Sequence, residues 1–171
     1  MLRTPTDHTM GSGPLELLEY GDFECPDCGE AFPLIRTWQK ELSGKLTFIF
    51  RSIPLDQLYP IHPNATMAAQ AAEAAAKQGR FWEMHDLLFE NQSDLSEDAL
   101  IALAGRIGLD EDQFVEDLDS AEIAEKVRLN VNDGQGKGIT ATPAFFINGE
   151  KVEDSRNYAQ VLELLKSKLA E

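Results

Sequence analysis

Cys25 and Cys28 are the only cysteines in the chain, and they stand three positions apart in Cys25-Pro26-Asp27-Cys28. A run of strand character ends just before them and a run of helical character begins with them. Only a thiolate attacks a disulfide, so a working thiol needs its pKa lowered. A cysteine that caps a helix obtains this from the unpaired backbone N–H groups and the positive end of the dipole. Cys28 then lies one turn further on the same face, where it can close a disulfide or resolve a mixed one. This arrangement requires Cys25 to be exposed and Cys28 buried, and Pro26 suits the first helical position. Zinc is the competing reading. A structural zinc takes four ligands, and the only histidines, His8, His62 and His85, show no paired ligand spacing. No metal site is therefore assigned. Inert core thiols are the other alternative, but Cys-x-x-Cys beside a strand–helix pattern favours redox chemistry.

A second signal is Thr142-Pro143, after a glycine-rich stretch and before an apolar run. Taken alone, an X–Pro bond is read as trans, since only about 5–6% are cis in folded proteins. Gly134, Gly136 and Gly138 do not follow a strand and open a helix, so they make no nucleotide-binding fingerprint. They read as a flexible loop ahead of Pro143. His62 and His85 read as structural residues, and Phe81, Trp82 and Met84 as core.

The elements that must position these residues follow from periodicity. Residues 15–20 read as a strand. Phe32, Ile35, Trp38 and Leu42 recur at helical spacing from Cys25 onward, with Pro33 expected to kink the helix or mark an irregularity in it. Residues 45–53 alternate as a second strand, and Pro54 and Pro60 mark a loop. Helical signal then dominates from about Asn64 to Val131: an alanine-rich segment ending at Gly79, a short helix over 81–90, one from Ser96 to Gly108, and two more over 110–118 and 121–131. Residues 143–147 form a short apolar strand, Asn148-Gly149 is a hairpin turn, and residues 158–169 form a last amphipathic helix. The organisation is a terminal extension over 1–14, a first sheet segment over 15–61, an inserted helical subdomain over 62–133 and a second sheet segment over 134–171. The fold class is α/β with a mixed central sheet.

With 43% hydrophobic residues the chain can bury a core without disulfide staples. Thirty acids against fifteen bases leave a net charge of −15, which argues against nucleic acid and anionic membranes as partners. No run approaches the ~18 apolar residues of a membrane span, and residues 1–14 lack the apolar core of a signal peptide. The expected location is cytoplasmic as the chain stands, or periplasmic or extracellular if a leader was removed. A monomer is expected.

Three segments carry a resemblance: Glu19-Tyr-Gly-Asp-Phe-Glu-Cys-Pro-Asp-Cys28, Phe81-Trp-Glu-Met-His-Asp-Leu-Leu-Phe89 and Gly138-Ile-Thr-Ala-Thr-Pro-Ala-Phe-Phe-Ile-Asn-Gly149. Over residues 15–170 the chain resembles the DsbA-like thiol:disulfide oxidoreductases of the thioredoxin superfamily. The resemblance implies a thioredoxin fold with a helical insertion, Cys25 as attacking thiol, Cys28 as resolving thiol, and a cis Thr142–Pro143 bond against the disulfide. Pro26, Asp27, Thr142 and Pro143 are expected to border the substrate. Glu19 resembles in position a buried carboxylate that takes the proton from Cys28; a solvent-facing strand acid is the alternative. No cofactor beyond a Cys25–Cys28 disulfide is implied, and the partners are protein thiols or disulfides and a redox recycling protein. DsbA carries His where this chain has Asp27, and an anion there is expected to disfavour the thiolate and weaken the disulfide as an oxidant. Two other functions stand beside exchange: a client- or metal-binding module of the same fold, and a glutathione-dependent transferase or isomerase.

Overall fold

The computed structural model describes residues 3–56 and 60–170. Its sheet has five strands: β1 (His8–Gly11), β2 (Leu15–Gly21), β3 (Leu46–Ser52), β4 (Ala144–Ile147) and β5 (Glu150–Lys151), in the order β1-β3-β2-β4-β5. β2 pairs parallel with β3 and antiparallel with β4, and β1 and β5 close the edges antiparallel. The parallel β2–β3 pair needs a crossover, which helix α1 (Pro26–Glu41) supplies. Five helices lie between β3 and β4: α2 (Ala65–Lys77), α3 (Phe81–Glu90), α4 (Glu97–Arg106), α5 (Glu111–Leu118) and α6 (Ala121–Gly136). Helix α7 (Tyr158–Lys168) packs on the α1 side.

The sheet is covered on both faces, which is why β3 is buried along its whole length despite its alternating sequence. On one face Leu15, Leu17, Phe48, Phe50 and Phe145 meet Ile35 and Trp38 of α1 and Met84, Leu88 and Phe89 of α3. On the other, Leu18, Tyr20, Ile49 and Phe146 meet Ile53, Leu55 and Ile139, with Val131 of α6 against them. The alanines of α2 are almost all buried, and their small side chains bring its backbone close to α3 and α5.

Two expectations require correction. The described part of the expected loose extension, residues 3–14, is not loose, because His8–Gly11 is an ordered edge strand. Polar contacts hold it: the His8 ring stacks on Phe81 at 3.5 Å and its Nε2 lies 2.9 Å from Glu73 of α2, while Asp7 takes both arms of Arg51 at 2.7 Å. The glycine-rich segment is not a flexible loop either, since α6 continues through it to Gly136. A Cβ on Gly134 would lie 2.1 Å from Ile53 Cδ1, so this glycine serves close packing. Asp133 beside it is bound by Arg51, Tyr20 and Lys137. Pro33 lies within the continuous helix α1. The hairpin is as expected: Asn148 and Gly149 both have positive φ, 48° and 92°, the pair of values a type I′ turn demands.

Candidate active site

Cys25 is the residue that caps α1, and Pro26 opens the helix. Both cysteines are free thiols. Cys25 is 6% exposed and Cys28 fully buried, so the expected order of accessibility holds but Cys25 is more covered than expected. The cover is the segment before β4: Cys25 Sγ donates to the Thr142 carbonyl at 3.4 Å, and the Thr142–Pro143 bond is cis. Asp27, Thr142 and Pro143 line a shared groove with Lys151 and Arg156. Pro26 sits exposed at its helix end.

The two thiols have opposite electrostatics. The Cys25 pKa falls to about 6, chiefly because Cys28 donates to its thiolate. Burial opposes this, while the Thr142 side chain and the backbone N–H groups of Cys28 and Asp27 add to it. These N–H groups are the unpaired donors of the first helical turn. The Thr142 hydroxyl has no fixed partner among the described residues and is thus free to serve the thiolate. The Cys28 pKa is pushed well up, first by burial, then by Cys25 and the charge of Glu19. Cys25 is therefore the more acidic of the two thiols, and Cys28 the one that holds its proton more tightly.

Glu19 is a central-strand residue, paired with Phe50 on β3 and Phe145 on β4. It is 2% exposed, so it is no solvent-facing acid. Burial raises its pKa to about 8, with the Cys25 thiolate adding to the rise.

A family model described as Thioredoxin matches residues 3–167. The chain belongs to the thioredoxin family. This thioredoxin-family chain superposes on a thioredoxin-like oxidoreductase from Silicibacter pomeroyi with TM-score 0.84 at 22% identity, over 98% of this chain and 95% of that one. BdbD from Bacillus subtilis gives 0.81 at 25% identity, over 96% and 94%. Wolbachia pipientis alpha-DsbA1 gives 0.78 at 24% identity, over 98% and 94%. The family is of the DsbA-like kind, and the fold is a thioredoxin fold with a helical insert. Sequence relatives include Na(+)/H(+) antiporter NhaA 1 of Salinispora arenicola, 40% identical over 153 residues, which are 88% of this chain and 23% of that protein. Antiporter NhaA 3 of Salinispora tropica is 41% identical over 147 residues, 85% of this chain and 22% of that protein. The chain thus spans about a quarter of the length of these curated relatives.

Several residues that support the site in this thioredoxin-family chain carried no sequence signal. Gln92, just past α3, donates from Nε2 to the carbonyls of Phe23 and Cys25 at 2.8 and 2.9 Å, which fixes the approach to the helix cap. Tyr158 of α7 donates to the Asp27 carbonyl at 2.8 Å. Asp22 is buried and accepts from the backbone N–H of Glu24 and Leu55, and lies 2.9 Å from His62 Nδ1. That anion is therefore compensated locally. The Asp27 carboxylate also has a cation, Arg156, at 3.7 Å. Apart from the Glu24 N–H beside Asp22, these partners are distant in sequence, so no local pattern points to them.

Proposed function

We propose that this protein exchanges disulfides with protein substrates, with Cys25 attacking and Cys28 resolving. One observation carries the reading: the two thiols of a single helical turn are split into a low-pKa, helix-capping nucleophile and a buried, high-pKa partner. In the reducing direction the Cys25 thiolate attacks a substrate disulfide and forms a mixed disulfide, releasing one substrate thiolate. Glu19 in its carboxylate form then takes the Cys28 proton. The Cys28 thiolate attacks Cys25 Sγ, the Cys25–substrate bond breaks, and the second substrate thiolate leaves. The substrate has gained two electrons and the pair has become a disulfide. In the oxidising direction every step reverses.

Direction depends on the stability of the dithiol. A Cys25 pKa of about 6 instead of 9 leaves it about tenfold ionised at pH 7. That favours the reduced pair by about 1.4 kcal/mol, or about 30 mV, over an unperturbed one. The site thus leans toward giving its disulfide away. Thr142 and Pro143, with Asp27, border the groove where an extended substrate segment would lie, and main-chain pairing is the mode by which such a segment would bind. The antiporter name describes much longer relatives. The part they share with this chain is the thioredoxin-type region, and among the described residues no helix is long and apolar enough to cross a membrane.

Trapping tests the reading. Cys28→Ser leaves Cys25 to attack but removes resolution, so mixed disulfides with protein substrates should accumulate through Cys25 and vanish in the Cys25→Ala, Cys28→Ser double variant. A client-binding module would accumulate none.

A further inference from the structure

A side chain of the helical insert holds the backbone of Cys25. Gln92 stands in the turn between α3 and α4. Its Nε2 donates to the Phe23 carbonyl at 2.8 Å and to the Cys25 carbonyl at 2.9 Å. Carbonyls only accept, so the amide nitrogen is the atom that faces them. A primary amide has two N–H donors, and this one places both on the active-site turn. That turn is also closed on itself: the Cys25 N–H donates to the Asp22 carbonyl at 3.1 Å, and the Glu24 N–H to Asp22 Oδ1 at 2.8 Å. The Cys25 carbonyl takes the first bond of α1 as well, from the Gly29 N–H at 3.0 Å. Gln92 supplies the second donor that this carbonyl can accept.

The seat of this side chain is built into α1. A Cβ on Gly29 would lie 2.2 Å from Gln92 Oε1 and 2.9 Å from its Cδ. Glycine is less favourable than alanine inside a helix, and here the room it leaves is filled by the Gln92 amide. The insert holds the same turn at two further points. The Asn64 N–H, before α2, donates to Glu24 Oε2 at 2.7 Å, and His62 Nδ1 lies 2.9 Å from Asp22 Oδ2. Of the three, Gln92 alone bonds to Cys25 itself.

We propose that Gln92 is a positioning residue for Cys25: it clamps the backbone of residues 23–25 so that the Cys25 sulfur stays aimed at the N-terminus of α1, and Gly29 is the seat that admits it. Through this clamp the helical insert governs how readily Cys25 ionises. The use of the clamp rests on the exchange reading; its geometry does not. Cys25 holds the cap conformation, φ −70° and ψ 122°. Rotation about either bond would turn Sγ relative to the first-turn N–H groups of Asp27 and Cys28, which favour its thiolate. One hydrogen bond to the Cys25 carbonyl would let that peptide pivot, and the second, to Phe23, removes the pivot. The amide does this without a charge. A carboxylate in its place would set an anion against two carbonyls, and neither side could donate. Gln92 acts on the backbone of Cys25, not on its sulfur.

The test uses the whole reduced protein with Gln92→Ala, Gly29→Ala and the double variant. Cys25 ionisation is followed by thiolate absorbance at 240 nm, and stability by urea unfolding. The charged groups around Cys25, Glu19 and the Asp27–Arg156 pair, are the same in every variant. Gln92→Ala should raise the Cys25 midpoint by about half a pH unit, within what a helix N-terminus contributes to a charge beside it, and leave about threefold less thiolate below the midpoint. Gly29→Ala should raise it by a similar amount, because the methyl displaces the amide. In the double variant the methyl enters space that the amide has left. Its Cys25 midpoint should therefore match that of Gln92→Ala, the non-additivity of one shared interaction. A merely structural glutamine would alter urea stability and leave the Cys25 midpoint in place, and that result overturns the proposal. Shifts that add in the double variant overturn the seat, since Gly29 would then act without Gln92. If Gln92→Ala does not fold, Gly29→Ala decides, and an unchanged midpoint there overturns the clamp. None of these readings needs a substrate. A raised midpoint in Gln92→Ala, beside a Cys28→Ser variant that traps no substrate, would sink the exchange reading and leave the clamp standing.

Discussion

Replacing Glu19 with Gln should stabilise the protein and slow it. In the folded state Glu19 titrates at about 8, against an ordinary value of 4.5. Below pH 4.5 both states hold the proton and the residue contributes no pH-dependent difference. Between 4.5 and 8 the unfolded state ionises while the folded state does not, so stability falls as pH rises, and the loss is complete above 8. At pH 7 the interval is 2.5 units, which at 1.36 kcal/mol per unit amounts to about 3.4 kcal/mol. Gln carries no such term. Its buried amide adds an offset that is the same at every pH, so the test is the change in the difference. Urea unfolding of the reduced protein should show Glu19→Gln gaining about 3 kcal/mol on the parent between pH 4 and pH 7. By melting temperature the same change is about 6–12 °C for a chain of this size. The gain should be smaller in the disulfide form, because part of the Glu19 shift comes from the Cys25 thiolate. Resolution by Cys28 should slow by about a hundredfold or more, the usual contribution of a positioned base. A stability difference that is the same at pH 4 and pH 7 would refute the buried neutral carboxylate and with it the proton acceptor.

Cys25 should titrate with a midpoint near 6 at 240 nm, and Cys28→Ala should move that midpoint up more than Cys28→Ser, since serine keeps a donor; equal midpoints in all three proteins would contradict the role of the Cys28 thiol. Asp27→His should make the disulfide more oxidising in glutathione buffers, with about 30 mV for each ~1.4 kcal/mol of added thiolate stabilisation. A potential that does not move would refute the expectation that the Asp27 charge disfavours the thiolate. Gly134→Ala drives a methyl to within 2.1 Å of Ile53 Cδ1; overpacking of about 1–3 kcal/mol should outweigh a helix-propensity gain of about 1. A variant as stable as its parent in urea would show that Ile53 can move aside.

Local pattern carried much of this protein. Cys-Pro-Asp-Cys at a strand–helix junction specifies the capping geometry and most of what acidifies the thiol, because these depend on residues within one turn; only Thr142 adds from far along the chain. The order of strands and helices, the bounds of α3, and the Asn148-Gly149 turn are equally local, set by side-chain period and by the φ values each residue tolerates. The continuation of α6 through Asn132–Gly136 was not local. Glycine-rich composition reads as a loop until Ile53 is known to press on Gly134 and Arg51 to bind Asp133. The strand at His8–Gly11 was hidden for a similar reason: its partners are Phe50, Glu73 and Phe81, all far along the chain.

The candidate site divides along the same line. The sequence by itself pointed to Cys25 and Cys28 as the candidate thiols, and the family resemblance to Glu19 as the carboxylate beside them. Tertiary structure alone decided that Glu19 is enclosed, with its pKa raised to about 8 by burial, and that Thr142 covers Cys25. Hydrogen-bond valence and desolvation are properties of an enclosed volume. The walls of that volume come from β2, α1 and α3, which meet only when the sheet closes.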